Sequence, residues 1–398
     1  MKKIYYGKAV YDSKEINAVI KVLKNESLSL VDGKSVKKLE KTVSKLFGKK
    51  YGLMVNSGSS ANLLGLASFD FKKGSEVITP NLTFSTTVAP IYQLGLMPHF
   101  IGVEKNKFVA DPSHIKRCIN KKTVAIMIPN LLGNIADWKT IFKIAKKYNL
   151  KVIEDSADTI GYKIDNKNTG KYSDVTTNSF YASHIINGAG TGGIVCFNDY
   201  KLYQRAKLLR GWGRSSATFN ESESVNKRFN VKISGIDYDA KYIFSDLGYN
   251  FLPSELSAAF ALEQVKKLNK NIITRNKNFD YLKNFFANYI DYFNLPEQYP
   301  KVKTPWLAFP LVIRKNKLFK RKKMQIFFEK NKIQTRTIFT GNILRQPVMK
   351  NRIFKKNPKC DKTADDVMRN GILIGCHQGM VKSDLDYICK TFKRFINL

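Results

Sequence analysis

The chain has 398 residues, 43% of them hydrophobic and 12% aromatic, and a formal charge of +36. This size and composition support an extensive core shared by two domains and exclude a disordered polymer. Cys118, Cys196, Cys360, Cys376 and Cys389 stand far apart with no CxxC or CxC pair, which argues against a metal site, a disulfide framework and an iron–sulfur cluster. The first residues carry no apolar run of signal-peptide length and no stretch could span a bilayer, so a cytoplasmic protein without a membrane partner is expected. The charge admits a nucleic-acid binder. However, basic residues are spread along the whole chain, and the densest cluster, residues 314–323, has no motif for reading bases. A diffuse positive field also attracts a small anion, and a general bias toward Lys, Asn and Ile explains much of it, so no nucleic-acid partner is expected.

From Tyr51 to about Phe197, short apolar runs alternate with helical patterns. Strands are predicted at residues 51–55, 76–79, 97–101, 123–128 and 151–154, with helices at 60–68, 86–94 and 137–148 between them. The alternation predicts an α/β fold with a large, mainly parallel sheet and helices on both faces. Two further strand-like segments, 175–180 and 193–197, bracket His184. An amphipathic helix is predicted over 253–267 with Pro253 in its first turn, followed by another over 271–289. Beyond these, strands at 307–313, 333–337 and 371–374 and helices at 317–331 and 382–395 read as a smaller α/β domain. The division is placed at residues 1–270 and 271–398, with the N-terminal segment able to pack on the small domain. Two phosphate motifs fail inspection. Gly33-Lys34-Ser35 resembles the end of a P-loop, but Leu28 stands where its first glycine belongs. Gly188–Gly193 is glycine-rich like a dinucleotide fingerprint, but a strand follows it where a helix is needed.

Three segments carry candidate chemistry. Asn56-Ser57-Gly58-Ser59-Ser60 follows a strand and opens a helix, where small residues and free amides favour an anion; a capped helix after a tight turn reads the same way. Ile153-Glu154-Asp155-Ser156-Ala157-Asp158 ends a buried strand in carboxylates, either loop acids or partners for a protonated ring nitrogen. Phe84 can stack on a flat ring or belong to the core.

In this order, and with Asn130–Asn134, Leu209–Arg214 and Leu247–Phe251, these segments resemble the fold-type I pyridoxal-phosphate (PLP) sugar aminotransferases and their dehydratase relatives over nearly the whole chain. The resemblance implies a homodimer with active sites at the subunit interface. It implies Ser57, Gly58, Ser59 and Ser179 at the cofactor phosphate, Asn250 reaching it from the partner subunit, Asp155 at the pyridine nitrogen, and Phe84 on the ring.

His184, five residues after Ser179, stands where the aminotransferases have the lysine that holds PLP as a Schiff base. A histidine there, together with Asp158, residues 335–347 and residues 239–242, resembles the 3-dehydratase branch. Imidazole cannot form the covalent link but can move protons, and its ordinary pKa of about 6.5 suits both a base and an acid. The branch implies PLP and pyridoxamine phosphate (PMP) held without a lysine, and C3 deoxygenation of a nucleotide-linked 4-keto-6-deoxyhexose with glutamate restoring PMP. The iron–sulfur relatives' clustered cysteines are absent, which points by elimination to GDP-4-keto-6-deoxymannose with no iron–sulfur partner. Arg336, Arg345 and Tyr242 are the candidate substrate contacts, the arginines being equally readable as structural salt bridges. Ile185 follows the histidine where the dehydratases have a second one, and Thr191 replaces an acid, so the local loop differs. Three other readings stay open: an aminotransferase using Lys163, Lys167 or Lys171, a non-catalytic regulator or nucleic-acid binder, and a packing role for His184.

Overall fold

The computed structural model describes residues 3–25, 29–219 and 224–397, so Leu28 lies outside the described residues. Eight strands form the large sheet, in the spatial order Tyr51–Val55, Gly193–Phe197, Val175–Ser179, Lys151–Asp155, Thr123–Pro129, Glu76–Pro80, Met97–Ile101 and Lys355–Lys356. Pairing is parallel from Val175–Ser179 onward, while Gly193–Phe197 joins both its neighbours antiparallel. The central strands are buried on both faces, which is why they read as continuous apolar runs without alternation. Helix Gly58–Ala67 covers one face, and its Gly65 lets it lie close on Val175 and Val195. Helix Trp138–Lys147 covers the other with Trp138, Ile141, Ile144 and Ala145, the spacing of a single apolar stripe; the Asp137 carboxylate caps its start by accepting from the Thr140 amide at 3.1 Å.

A second sheet, Phe293–Asn294, Phe309–Ile313, Gly371–Ile374 and Thr335–Arg336, is antiparallel and packs under helices Arg321–Lys330, Asp361–Asn370 and Lys382–Ile396. Its core is aromatic, with Phe286, Phe293, Phe309 and Phe392 all buried. The division at 270/271 falls inside the first turn of helix Leu268–Ala287, which follows helix Glu255–Lys266 with no loop between them. Segments also cross between the two bodies. Lys355–Lys356 extends the large sheet beside Met97–Ile101, and Ile4 bridges to Ile333 of the small body.

The P-loop look-alike has a physical explanation. Gly33 caps helix Lys34–Leu46, a helix the sequence pattern did not reveal, and the amides of Gly33 and Val36 donate to Glu255 Oε2 at 3.0 and 3.2 Å. The Ser35 amide donates to Glu255 Oε1. The turn is an anion nest filled by the protein's own carboxylate. Pro253 also stands differently from expectation. It precedes Ser254, whose hydroxyl caps the helix by accepting from the Leu256 amide at 3.2 Å, so the proline lies outside the first turn.

Candidate active site

The carboxyl ends of the parallel strands converge on a cavity of about 1230 Å³, closed from the other side by residues of the small body. Loops at this edge of a parallel sheet are where ligands bind in such folds. Of the residues singled out in the sequence, Ser57, Gly58, Ser59, Phe84, Asp155, Asp158, Ser179, His184 and Arg336 all line it.

Ser57 is the N-cap of helix Gly58–Ala67, its Oγ accepting from the Ser60 amide at 3.1 Å and pairing with the Ser60 hydroxyl at 3.0 Å. Its side chain therefore closes the helix. The next two amides, of Gly58 and Ser59, sit in the first turn, where no intrahelical acceptor exists and the dipole is positive. Gly58 is required by contact: a Cβ there would lie 2.5 Å from that of Ser179. Gly192 adopts φ +112°, and a Cβ on Gly193 would come within 2.5 Å of the Ser57 carbonyl, so the glycine-rich stretch is the third wall of this cradle. Ser179, buried, accepts from the Tyr181 amide at 3.2 Å and keeps its own hydroxyl proton to donate.

Asp155 ends its strand buried, with Oδ2 accepting from Asn62 Nδ2 and Thr87 Oγ1, both at 2.8 Å, and Oδ1 from the Ala157 amide at 3.0 Å. Asn62 is fixed in turn by the Thr177 hydroxyl at 2.6 Å. Burial pushes the carboxyl up and the three neutral donors pull it down. None of these three partners is a cation, so a protonated ring nitrogen would complete the site. Phe84 remains 49% exposed, touching Phe339 edge-on at 5.8 Å and leaving a ring face open to the cavity. Asp158 accepts from the Leu132 amide at 2.8 Å; Leu132 itself is held at φ +61°. Burial, with Asp155 adding to it, raises Asp158 to about 7. A phosphate, a flat cationic ring and its substituents fit this constellation.

His184 sits partly buried, with Nδ1 3.3 Å from the Ser179 carbonyl. A carbonyl only accepts, so Nδ1 carries the proton and Nε2 holds the free lone pair. Burial lowers its pKa to about 4 against the pull of that carbonyl, and Arg275 lowers it further. This corrects the expectation of an ordinary imidazole: the resting side chain is a neutral base. Among the described residues no lysine lines the cavity, and Lys163, Lys167 and Lys171 are all elsewhere.

Three of the expected contacts lie outside the cavity lining. Arg345 is held by Asp365 at 2.9 and 3.2 Å in a bidentate pair, the geometry of a structural salt bridge. Asn250 is exposed and bridges to Gly211. Tyr242 is 58% exposed, with the Arg214 guanidinium 5.6 Å from its ring. Conversely, Tyr5, Tyr6, Gly7, Gln334 and Gln346 line the cavity without any sequence motif to mark them.

This strand order, with an anion cradle and a buried carboxylate at its carboxyl edge, defines a fold-type I pyridoxal-phosphate enzyme. The chain belongs to the DegT/DnrJ/EryC1/StrS aminotransferase family, whose profile matches residues 10–393. It is 33% identical to the lipopolysaccharide biosynthesis protein RfbH of Salmonella typhimurium over 93% of this chain and 86% of that one. It is 32% identical to the GDP-4-keto-6-deoxy-D-mannose 3-dehydratase of Yersinia pseudotuberculosis over 93% of each chain. Among solved structures, the E. coli GDP-4-keto-6-deoxy-D-mannose 3-dehydratase with bound hydrated PLP superposes with a TM-score of 0.88 at 30% identity, covering 98% of this chain and 99% of that one.

Proposed function

We propose that this protein is a PLP/PMP-dependent sugar-nucleotide 3-dehydratase. It removes the C3 hydroxyl of GDP-4-keto-6-deoxymannose to give a 4-keto-3,6-dideoxy sugar, with glutamate as the amino donor. The observation that carries this reading is the cavity's composition: Gly58, Ser59, Phe84, Asp155 and Ser179 line it together, and His184 stands where the aminotransferases have their lysine. Relatives with the dehydratase name match 93% and 98% of the chain.

When bound, the cofactor supplies an amine for the sugar ketone and a ring that takes up electron density. The Gly58 and Ser59 amides and the Ser179 hydroxyl hold its phosphate, Asp155 its ring nitrogen, and Phe84 its face. His184 does the proton work. Neutral at pH 7, it accepts a proton at Nε2; once charged in this buried site it is a strong acid and passes the proton to the departing C3 oxygen. Arg336 faces the substrate diphosphate. The active unit is a homodimer in which Asn250 and Tyr242 serve the partner's cavity, and its location is cytoplasmic.

Mass spectrometry of the sugar nucleotide after incubation with PMP, glutamate and GDP-4-keto-6-deoxymannose tests the reading. A product lacking one oxygen is expected. A product with an amine in place of the ketone would make the protein an aminotransferase, and no change across GDP, CDP and dTDP substrates would remove the catalytic reading.

A further inference from the structure

An N-terminal strap, residues 4–10, crosses from the small body to the segment that carries His184. Four fastenings hold it. Ile4 exchanges backbone hydrogen bonds with Lys332 and Gln334 at 2.9 and 2.8 Å, and the Tyr6 amide donates to Gln334 Oε1 at 3.0 Å. The Tyr5 carbonyl accepts from buried His377 Nε2 at 3.2 Å, with His377 Nδ1 fixed by the Gly379 amide at 3.2 Å. The Val10 carbonyl accepts from Gln264 Nε2 at 3.0 Å. Between these points a Cβ on Gly7 would lie 2.8 Å from that of Ser183, the residue before His184. A segment fastened this closely holds one conformation over the cavity.

The strap contributes Tyr5, Tyr6, Gly7 and Ala9 to the lining. Gln334 and His377 of the small body anchor it there, so Tyr6 enters the cavity beside small-body residues. Its ring lies 5.7 Å from the Arg336 guanidinium. Burial and the Asp158 carboxylate both push the phenol's pKa up, so it stays protonated and can donate. Among the described residues its hydroxyl has no hydrogen-bond partner. A half-buried phenol is ordinarily partnered, and here the cavity is the open direction.

We propose that Tyr6 is a substrate-binding residue whose hydroxyl hydrogen-bonds an uncharged oxygen of the hexose. The assignment rests on the dehydratase reading and adds its sugar subsite. Anionic oxygens suit Arg336; a protonated phenol suits a hydroxyl or ketone.

Tyr6→Phe keeps the ring beside Arg336 and deletes only the hydroxyl. The test compares it with wild type in two reactions of the holoenzyme: conversion of PLP to PMP by glutamate, followed by absorbance, and turnover of GDP-4-keto-6-deoxymannose. The expected result is an unchanged glutamate reaction and a fall of about tenfold in kcat/KM for the sugar nucleotide, the size of one lost neutral hydrogen bond. A sugar kcat/KM within threefold of wild type would overturn the proposal, as would a glutamate reaction that falls in parallel, which marks a structural role. Failure of the wild-type chain to deoxygenate the sugar removes the dehydratase reading itself, and this proposal with it.

Discussion

His184 concentrates the chemistry at the level of single residues. Its carbonyl partner fixes the tautomer, and burial sets its strength. In His184→Asn the cofactor contacts survive, since none of them uses the imidazole, while turnover drops by about 10³-fold. In His184→Lys an amine enters at the position the aminotransferases use, so absorbance should show a covalent adduct that borohydride traps. Cofactor binding lost with the histidine would contradict the division of labour argued above. The pH profile gives a second check. The neutral form is the base and its pKa is lowered to about 4, so kcat/KM should fall only as pH drops toward that value. An acid limb at the ordinary 6.5 or so would mean an exposed imidazole. Stability has the same sign: the unfolded chain takes the proton first, so what His184 contributes above about 6.5 is lost as pH falls toward about 4.

Among the elements, the junction of helix Gly58–Ala67 with the strand end at Ser179 matters most. Two backbones meet there so closely that a methyl group at Gly58 would lie 2.5 Å from the Ser179 Cβ. Gly58→Ala must push the helix N-terminus away from the serine. We expect a loss of about 1–3 kcal/mol in urea unfolding and a larger proportional loss of PLP affinity by titration. Equal affinity in the variant would place the phosphate elsewhere. The contrast with Gly33 is instructive. Both glycines open helices with free amides, but Glu255 fills one nest, and the other faces the cavity. Sequence spacing alone cannot tell them apart, because Glu255 is distant in the chain and reaches the turn only through tertiary packing.

For the whole molecule, the single chain leaves an aromatic and cationic surface open. Trp212, Tyr242 and Phe244 are 37%, 58% and 55% exposed, and the Arg214 guanidinium lies 4.4 Å from the Trp212 ring. Asn250 is exposed in the same stretch of chain, away from its own cavity. A dimer that lends this surface to the partner's site accounts for both facts. Mixing His184→Asn with Asn250→Asp, whose added charge repels the cofactor phosphate, should then restore activity that neither variant shows alone. Such mixtures contain dimers with one intact site. Absence of restoration after subunit exchange would confine each site to one chain.

Much was legible without coordinates. The strands at 51–55, 97–101 and 193–197 match in extent, because strands in the buried interior of the sheet are short, mostly apolar segments bounded by turns. The cradle, Asp155, Phe84 and His184 could be named because each lies next to a strand end, so local sequence and site coincide. Helices Ser13–Leu23, Tyr200–Arg210 and Asp361–Asn370 are not among the predicted elements; they lie outside the strand–helix alternation that made the others readable. Tertiary structure alone decided the rest. It drew Arg345 to Asp365, anchored Tyr6 in the cavity through Gln334, 328 residues away, and lowered the pKa of His184 by packing around it. The sequence determined which chemical groups exist and which strand ends carry them; their pairing, protonation and exposure depend on distant segments meeting, and those follow only from the fold.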